Sequence, residues 1–199
     1  MSKAPTDFDR VSALEGVSYG IIDGSDSIVL IKGGRGSDHR GYADKYLRMA
    51  ARLHERLGCS VITASNPAER ESYLSDEAML RRYAALRGID AFSLALIGSS
   101  NGGYQSILLA EKMPEMKSIL CINMPLMINF QKAVKRLDGM EGVEKIFAYG
   151  SLDPSFPYLP FLELKRLSAA RILRVKDADH NFTGMTEDFI ALSDLVRLE

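Results

Sequence analysis

The sequence predicts an α/β protein: a three-layer, doubly wound, mostly parallel sheet of about 6–7 strands with helices on both faces. Three observations lead there. Short apolar runs alternate along the chain with longer amphipathic segments. The longer segments carry apolar residues at spacings of three and four, the period of one helix face. Glycines and prolines cluster where the short runs end, which is where a doubly wound sheet places its ligand site.

The elements follow in order. Residues 17–22, Val17 to Ile22, suit an antiparallel edge strand. Turn residues Asp23-Gly24-Ser25-Asp26 join it to the first strong strand, Ile28-Val29-Leu30-Ile31. From Tyr42 to Leu57, the side chains of Tyr46, Met49, Ala50, Leu53 and Leu57 share one helix face, and Gly58 stops the helix. The second strand is Ser60 to Ala64. A helix from Ser75 to Arg87 places Met79, Leu80, Tyr83 and Leu86 together and stops at Gly88. Phe92 to Ile97 is the third strand, and a helix from Gly103 to Met113 ends before Pro114. The fourth, fifth and sixth strands are Ser118 to Asn123, Lys145 to Tyr149 and Arg171 to Val175, and a last helix runs from Thr186 to Val196. Strands separated by helices pair in parallel, through right-handed crossovers.

Bulk properties narrow the function. A chain of 199 residues suits one domain with a proper core and would cramp two. A net charge of −1 gives no basic field for nucleic acid or an anionic membrane. No apolar run approaches the ~18 residues of a membrane span. Residues 1–10 are polar and lack the apolar core of a signal peptide, so the expected location is cytoplasmic. Cys59 and Cys121 are then expected to be reduced thiols.

The chemistry concentrates in four pieces at the ends of strands. Gly98-Ser99-Ser100-Asn101-Gly102 matches G-x-S-x-G between a strand and a helix, a context that lifts the Ser100 hydroxyl clear of the backbone. Glycines at 98 and 102 leave room for the bend. Lys32-Gly33-Gly34-Arg35-Gly36-Ser37 follows the first strong strand. Gly150-Ser151-Leu152-Asp153-Pro154 follows the fifth, and Ala178-Asp179-His180-Asn181-Phe182 follows the sixth. The bland reading of the first piece is a simple turn. The glycine-rich loop could cradle a phosphate, but it does not match G-x-x-x-x-G-K-[ST].

Taken together, these pieces resemble the α/β-hydrolase family, over nearly the whole chain from about residue 17 to 196. The order Ser, Asp, His is that family's order. The resemblance implies a catalytic triad of Ser100, Asp153 and His180. It also implies an oxyanion hole made by the backbone N–H groups of Asn101 and Gly34, with Arg35 as the neighbouring candidate. Lys32 stands where the family's loop usually has a histidine; the donor is backbone, so the exchange need not harm the hole. The physics asks for each group. A serine hydroxyl needs an adjacent base at neutral pH. The base must return its proton to the leaving group, and a carboxylate must fix its tautomer. No metal or organic cofactor is required.

Competing readings stay open at several positions. His54 lies inside an amphipathic helix and reads as a surface or packing residue, while His39 follows the glycine loop and borders the site on one reading. Asp177 and Asp179 compete with Asp153, although Asp179 is adjacent to His180 and badly placed to orient it. Family members insert a cap after the fourth strand, and residues 124–144 leave no room for a large one. Met127 and Phe130 in that connection either pack or wall an acyl pocket, and the same holds for Phe156 in the proline-rich segment after Asp153. Arg35, Asp38, His39 and Arg40 form either a solvated loop or a contact for a charged leaving group. The expectation is a nearly capless serine hydrolase acting on a small-molecule acyl substrate, an ester or thioester, with oligomeric state open. The alternatives are a peptidase or amidase on the same triad, and a binding module that keeps the fold without catalysis.

Overall fold

Successive side chains of a strand point to opposite faces of its sheet, and this chain fills both faces with apolar groups. The computed structural model describes residues 6–128 and 130–199. The expectation for the N-terminal ten residues therefore falls partly outside the described residues. The elements are β1 (Arg10–Leu14), β2 (Val17–Ile22), β3 (Ser25–Lys32), α1 (Lys45–Leu57), β4 (Cys59–Ala64), α2 (Tyr73–Arg87) and β5 (Leu94–Ser99). They continue with α3 (Asn101–Ala110), β6 (Met116–Ile122), α4 (Phe130–Asp138), β7 (Glu144–Gly150), α5 (Leu159–Glu163), β8 (Ala170–Val175) and α6 (Thr186–Ala191).

The strands form one 8-stranded sheet in the order β1-β2-β4-β3-β5-β6-β7-β8. Pairing is parallel from β4 to β8 and antiparallel where β1 meets β2 and β2 meets β4. Alternation then sorts the core. Ile28, Leu30, Leu94, Leu96, Ile119 and Phe147 face one layer, closed by Met79, Leu80 and Tyr83 of α2, Ile107 of α3 and Leu137 of α4. Val29, Ile31, Ala95, Ile97, Leu120 and Ile146 face the other, closed by Tyr46, Met49 and Leu53 of α1 and Phe189 and Ile190 of α6. The result is three layers.

Several expectations change. The sheet has one strand more than the upper expectation, because β1 was not legible: its side chains are mostly exposed and form no apolar run. β2 is antiparallel as expected but is not the edge, since β1 covers it. Nor does β2 pair with the strand that follows it. The Gly24 N–H donates to Ser60 Oγ at 3.0 Å and the Ser25 N–H to the Gly58 carbonyl at 2.8 Å, which ties the turn to β4. α1 starts at Lys45 rather than Tyr42, because Ala43 and Asp44 take left-handed φ of 51° and 56°. Residues 130–138 form a helix where a bare connection was expected, and the last helix gives way at Leu192 to a 3-10 turn.

Among the described residues, α4 is the helix between β6 and β7. No described helix is long and apolar enough to cross a membrane. Cys59 and Cys121 are buried free thiols, and burial pushes the Cys121 thiol up to about 12. One buried cation serves structure alone: Lys145 Nζ donates to the carbonyls of Met140, Val143 and Ser168 at 2.6, 3.0 and 3.1 Å.

Candidate active site

The central strand β5 ends at Ser99 and α3 begins at Asn101, so a single residue must reverse the chain direction. Ser100 does so with φ 53° and ψ −127°, a conformation a non-glycine residue holds only under constraint. The constraint is visible. The Ser100 N–H donates to the Ile122 carbonyl of β6 at 2.8 Å, and the Ser100 carbonyl accepts from the Gly103 N–H at 2.9 Å. A Cβ at Gly98 would lie 2.5 Å from Gly103 Cα, and one at Gly102 would overlap the carbonyl oxygens of Lys32 and Gly33. Both glycines of the motif are thus required by close backbone approach.

Three side chains from three strand ends meet at this turn. Ser100 Oγ lies 2.9 Å from His180 Nε2, and His180 Nδ1 lies 2.5 Å from Asp153 Oδ2. Asp153 is buried, and its other oxygen accepts the Ser155 N–H at 2.7 Å. The hydrogen bond from Asp153 holds the His180 imidazole above its ordinary value, with burial and Lys45 opposing. The competing aspartates point elsewhere. Asp179 Oδ1 accepts the N–H groups of Asn181 and Thr183 at 3.0 and 2.8 Å, and these bonds lower its carboxyl. Asp177 sits in a left-handed turn. His39 Nδ1 lies 2.9 Å from Ser18 Oγ with its ring against Phe8, and His54 Nδ1 lies 3.0 Å from the Cys59 carbonyl. Neither reaches Ser100.

Side chains that sequence reasoning passed over hold the site together. Asn66, fully buried just past β4, donates from Nδ2 to the Gly33 carbonyl at 2.9 Å and to Asn101 Oδ1 at 3.1 Å. Its Oδ1 accepts from Gln105 Nε2 at 2.9 Å, and Gln105 also donates to Asn101 Oδ1 at 3.1 Å. The Asn66 backbone pairs with Ser37 and Gly36. One amide network therefore fixes the glycine-rich loop to the start of α3. Asn123, buried just past β6, donates from Nδ2 to the carbonyls of Asp179 and His180, each at 3.0 Å, and accepts the Gly150 N–H at 2.9 Å. The signal for both was position: each is a polar residue at the C-terminal end of a parallel strand.

Lys32 turns away from the site. Its Nζ forms an ion pair with Asp76 Oδ2 at 2.6 Å and donates to the Ser65 carbonyl at 3.2 Å. The Tyr19 hydroxyl donates to Asp76 Oδ1 at 3.1 Å. Burial pushes the Asp76 carboxyl up and the Lys32 ammonium down, each opposed by the other's charge.

Beside Ser100 and His180 opens a cleft of about 510 Å³. The glycine-rich loop lines it with Gly34, Arg35 and Asp38, and the start of α1 with Lys45 and Tyr46. The expected pocket wall is on another side. Met127 is 54% exposed, and Phe130 and Phe156 pack against the core. These three do not line the cleft, whereas Gly34 and Arg35 do. Among the described residues, no cluster of three or more His, Cys, Asp or Glu side chains has the arrangement of a metal site.

No family model and no curated protein matches the sequence. Solved structures do resemble this one. Est1E from Butyrivibrio proteoclasticus superposes with a TM-score of 0.73 at 11% identity, covering 94% of this chain and 96% of that one. A dienelactone hydrolase from Anabaena variabilis gives 0.70 at 16% identity, covering 96% and 97%. An alpha-beta serine hydrolase homologue from Coxiella burnetii gives 0.68 at 15% identity, covering 95% and 97%. The chain has the α/β-hydrolase fold.

Proposed function

We propose that this protein is a serine hydrolase that cleaves small carboxylic esters or thioesters through an acyl-enzyme. One observation carries the reading: the unbroken line from Ser100 Oγ through the His180 ring to Asp153, with contacts of 2.9 and 2.5 Å. Ser100 Oγ attacks the acyl carbonyl carbon while His180 Nε2 takes its proton. Asp153 keeps the second ring proton on Nδ1 and stabilises the imidazolium. His180 then hands its proton to the departing alkoxide or thiolate, and water repeats the sequence to release the acid.

The carbonyl oxygen gains charge during attack and needs donors already in place. The Asn101 N–H at the start of α3 and the Gly34 N–H across the turn are the pair that supports this reading. The ideal Cβ position of Gly34 lies 3.4 Å from Ser100 Cβ, which brings that loop against the nucleophile. Donors of this kind contribute about 10²–10³ in rate each. The protein works as one domain without a substantial cap, so its site opens to solvent. The names of the structural neighbours run in the same direction.

The test is turnover of a p-nitrophenyl acyl ester together with fluorophosphonate labelling. Wild type should hydrolyse the ester and label at Ser100, and Ser100→Ala should lose both. Turnover retained in Ser100→Ala removes the assignment, and a folded wild type that does not label favours a non-catalytic binding module.

A further inference from the structure

The cleft beside the triad holds two cations with no carboxylate partner among the described residues. Lys45 is the first residue of α1, half-buried, with its ammonium 4.5 Å from the Phe189 ring centre and 5.3 Å from that of Tyr46. Ring faces stabilise a cation but accept no ordinary hydrogen bond. Among the described residues no carboxylate pairs with it, and burial alone pushes the ammonium below its ordinary value. Lys45 is also close enough to His180 to oppose its protonation. Arg35, which also lines the cleft, is exposed and forms no ion pair among the described residues.

Most other arginines are engaged differently. Arg10, Arg40, Arg48, Arg52, Arg81, Arg136, Arg171 and Arg174 all pair with carboxylates. The cleft has one carboxylate outside the triad, Asp38, and its Oδ1 accepts the N–H groups of Arg40 and Gly41 at 3.0 and 2.6 Å. It braces its own loop. Arg35 and Lys45 against Asp38 leave an excess of one positive charge, which suits a single carboxylate better than a phosphate dianion. A desolvated ammonium with unused donors, an unpaired guanidinium and a nucleophile share one opening.

We infer that the substrate is an ester bearing a carboxylate, held by Lys45 and Arg35 while Ser100 attacks its acyl carbon. This rests on the hydrolase reading above and adds the substrate class to it. The carboxylate accepts from Lys45 Nζ and from the Arg35 fork, and charge-assisted bonds in a half-buried cleft are the strong kind. Neutral esters bind the same site without that contact.

The experiment compares two matched pairs. 4-Acetoxybenzoate against its methyl ester places the charge on the leaving side. Mono-p-nitrophenyl adipate against its methyl ester places it on the acyl side. Wild type should favour the anionic member of at least one pair by about tenfold or more in kcat/KM. Lys45→Gln should collapse that ratio, mainly through KM for the anionic ester, and Lys45→Arg should keep much of it. Arg35→Gln, on an exposed loop, should reduce the ratio in the same direction and serves as the second probe if Lys45→Gln does not fold. A wild-type ratio at or below one in both pairs, or a ratio unmoved by both substitutions, overturns the inference while leaving the hydrolase reading intact. Failure to turn over all four esters, with Ser100 unlabelled by a fluorophosphonate, overturns both.

Discussion

Asn66→Ala separates the amide network from the chemistry it supports. The substitution removes three side-chain hydrogen bonds, to the Gly33 carbonyl, to Asn101 Oδ1 and from Gln105 Nε2, at 2.9, 3.1 and 2.9 Å. Asn101 and Gln105 keep their own bond at 3.1 Å, so the group left stranded is the buried Gly33 carbonyl. Three bonds at net values near 1 kcal/mol each give a loss of about 2–4 kcal/mol. For a chain of this size that lowers Tm by roughly 5–15 °C. The rate effect is distinct. Gly33 precedes Gly34, one oxyanion donor under the proposed function, and Asn101 is the other, so slackening the network would misaim both. We expect kcat to fall about 10–100-fold, less than the 10²–10³ for deleting a donor outright, with KM changing little. Thermal melts and steady-state hydrolysis of a p-nitrophenyl ester measure the two effects on one preparation. A variant whose melt falls as expected but whose kcat stays within about threefold of wild type would refute the reasoning, since the network would then contribute stability alone.

Two further outcomes follow from the same geometry. Asp153 raises the His180 imidazole above its ordinary value, and the proposed chemistry needs the neutral ring, so kcat/KM should climb with pH along a limb centred above that of a free imidazole. Asp153→Asn should move that limb to lower pH while cutting the plateau by about 10⁴; a limb that stays in place would show that Asp153 does not set the proton affinity of the ring. Gly102→Ala would drive a methyl group into the Lys32 and Gly33 carbonyl oxygens, so it should reduce both folding yield and ester turnover, and a variant with wild-type melt and rate would contradict the close approach of those backbones.

The sequence displayed some parts of this molecule and concealed others for physical reasons. Buried parallel strands are continuous apolar runs, so β3 to β7 announced themselves. β1 is an outer strand with polar, exposed side chains and pairs through backbone groups common to every residue, which no side-chain pattern records. The contact line from Ser100 through His180 to Asp153 was legible because Ser100 sits in a G-x-S-x-G turn after one strand and Asp153 and His180 follow later strands. Met127, Phe130 and Phe156 follow strands too, but an apolar side chain there turns to the core or to solvent according to tertiary packing. Asn66 and Gln105 are 39 residues apart and meet only when β4 and α3 pack, so their partnership is invisible in one dimension. Lys45 carried no signal in the sequence, lying inside a helix expected from Tyr42; the left-handed residues at 43 and 44 make it the first residue of α1 instead.

The bonds from Asn123 to the Asp179 and His180 carbonyls have a mechanical consequence. His180 follows β8 in the chain, and β8 is the outermost strand, with one side unpaired and four of its six residues exposed. Such margins fray first under thermal motion. Asn123 instead suspends the histidine from the end of β6, two strands further in, where backbone hydrogen bonds are flanked on both sides. An opening of β8 would then displace the imidazole less than the strand leading to it, because the His180 carbonyl is tied to the end of β6.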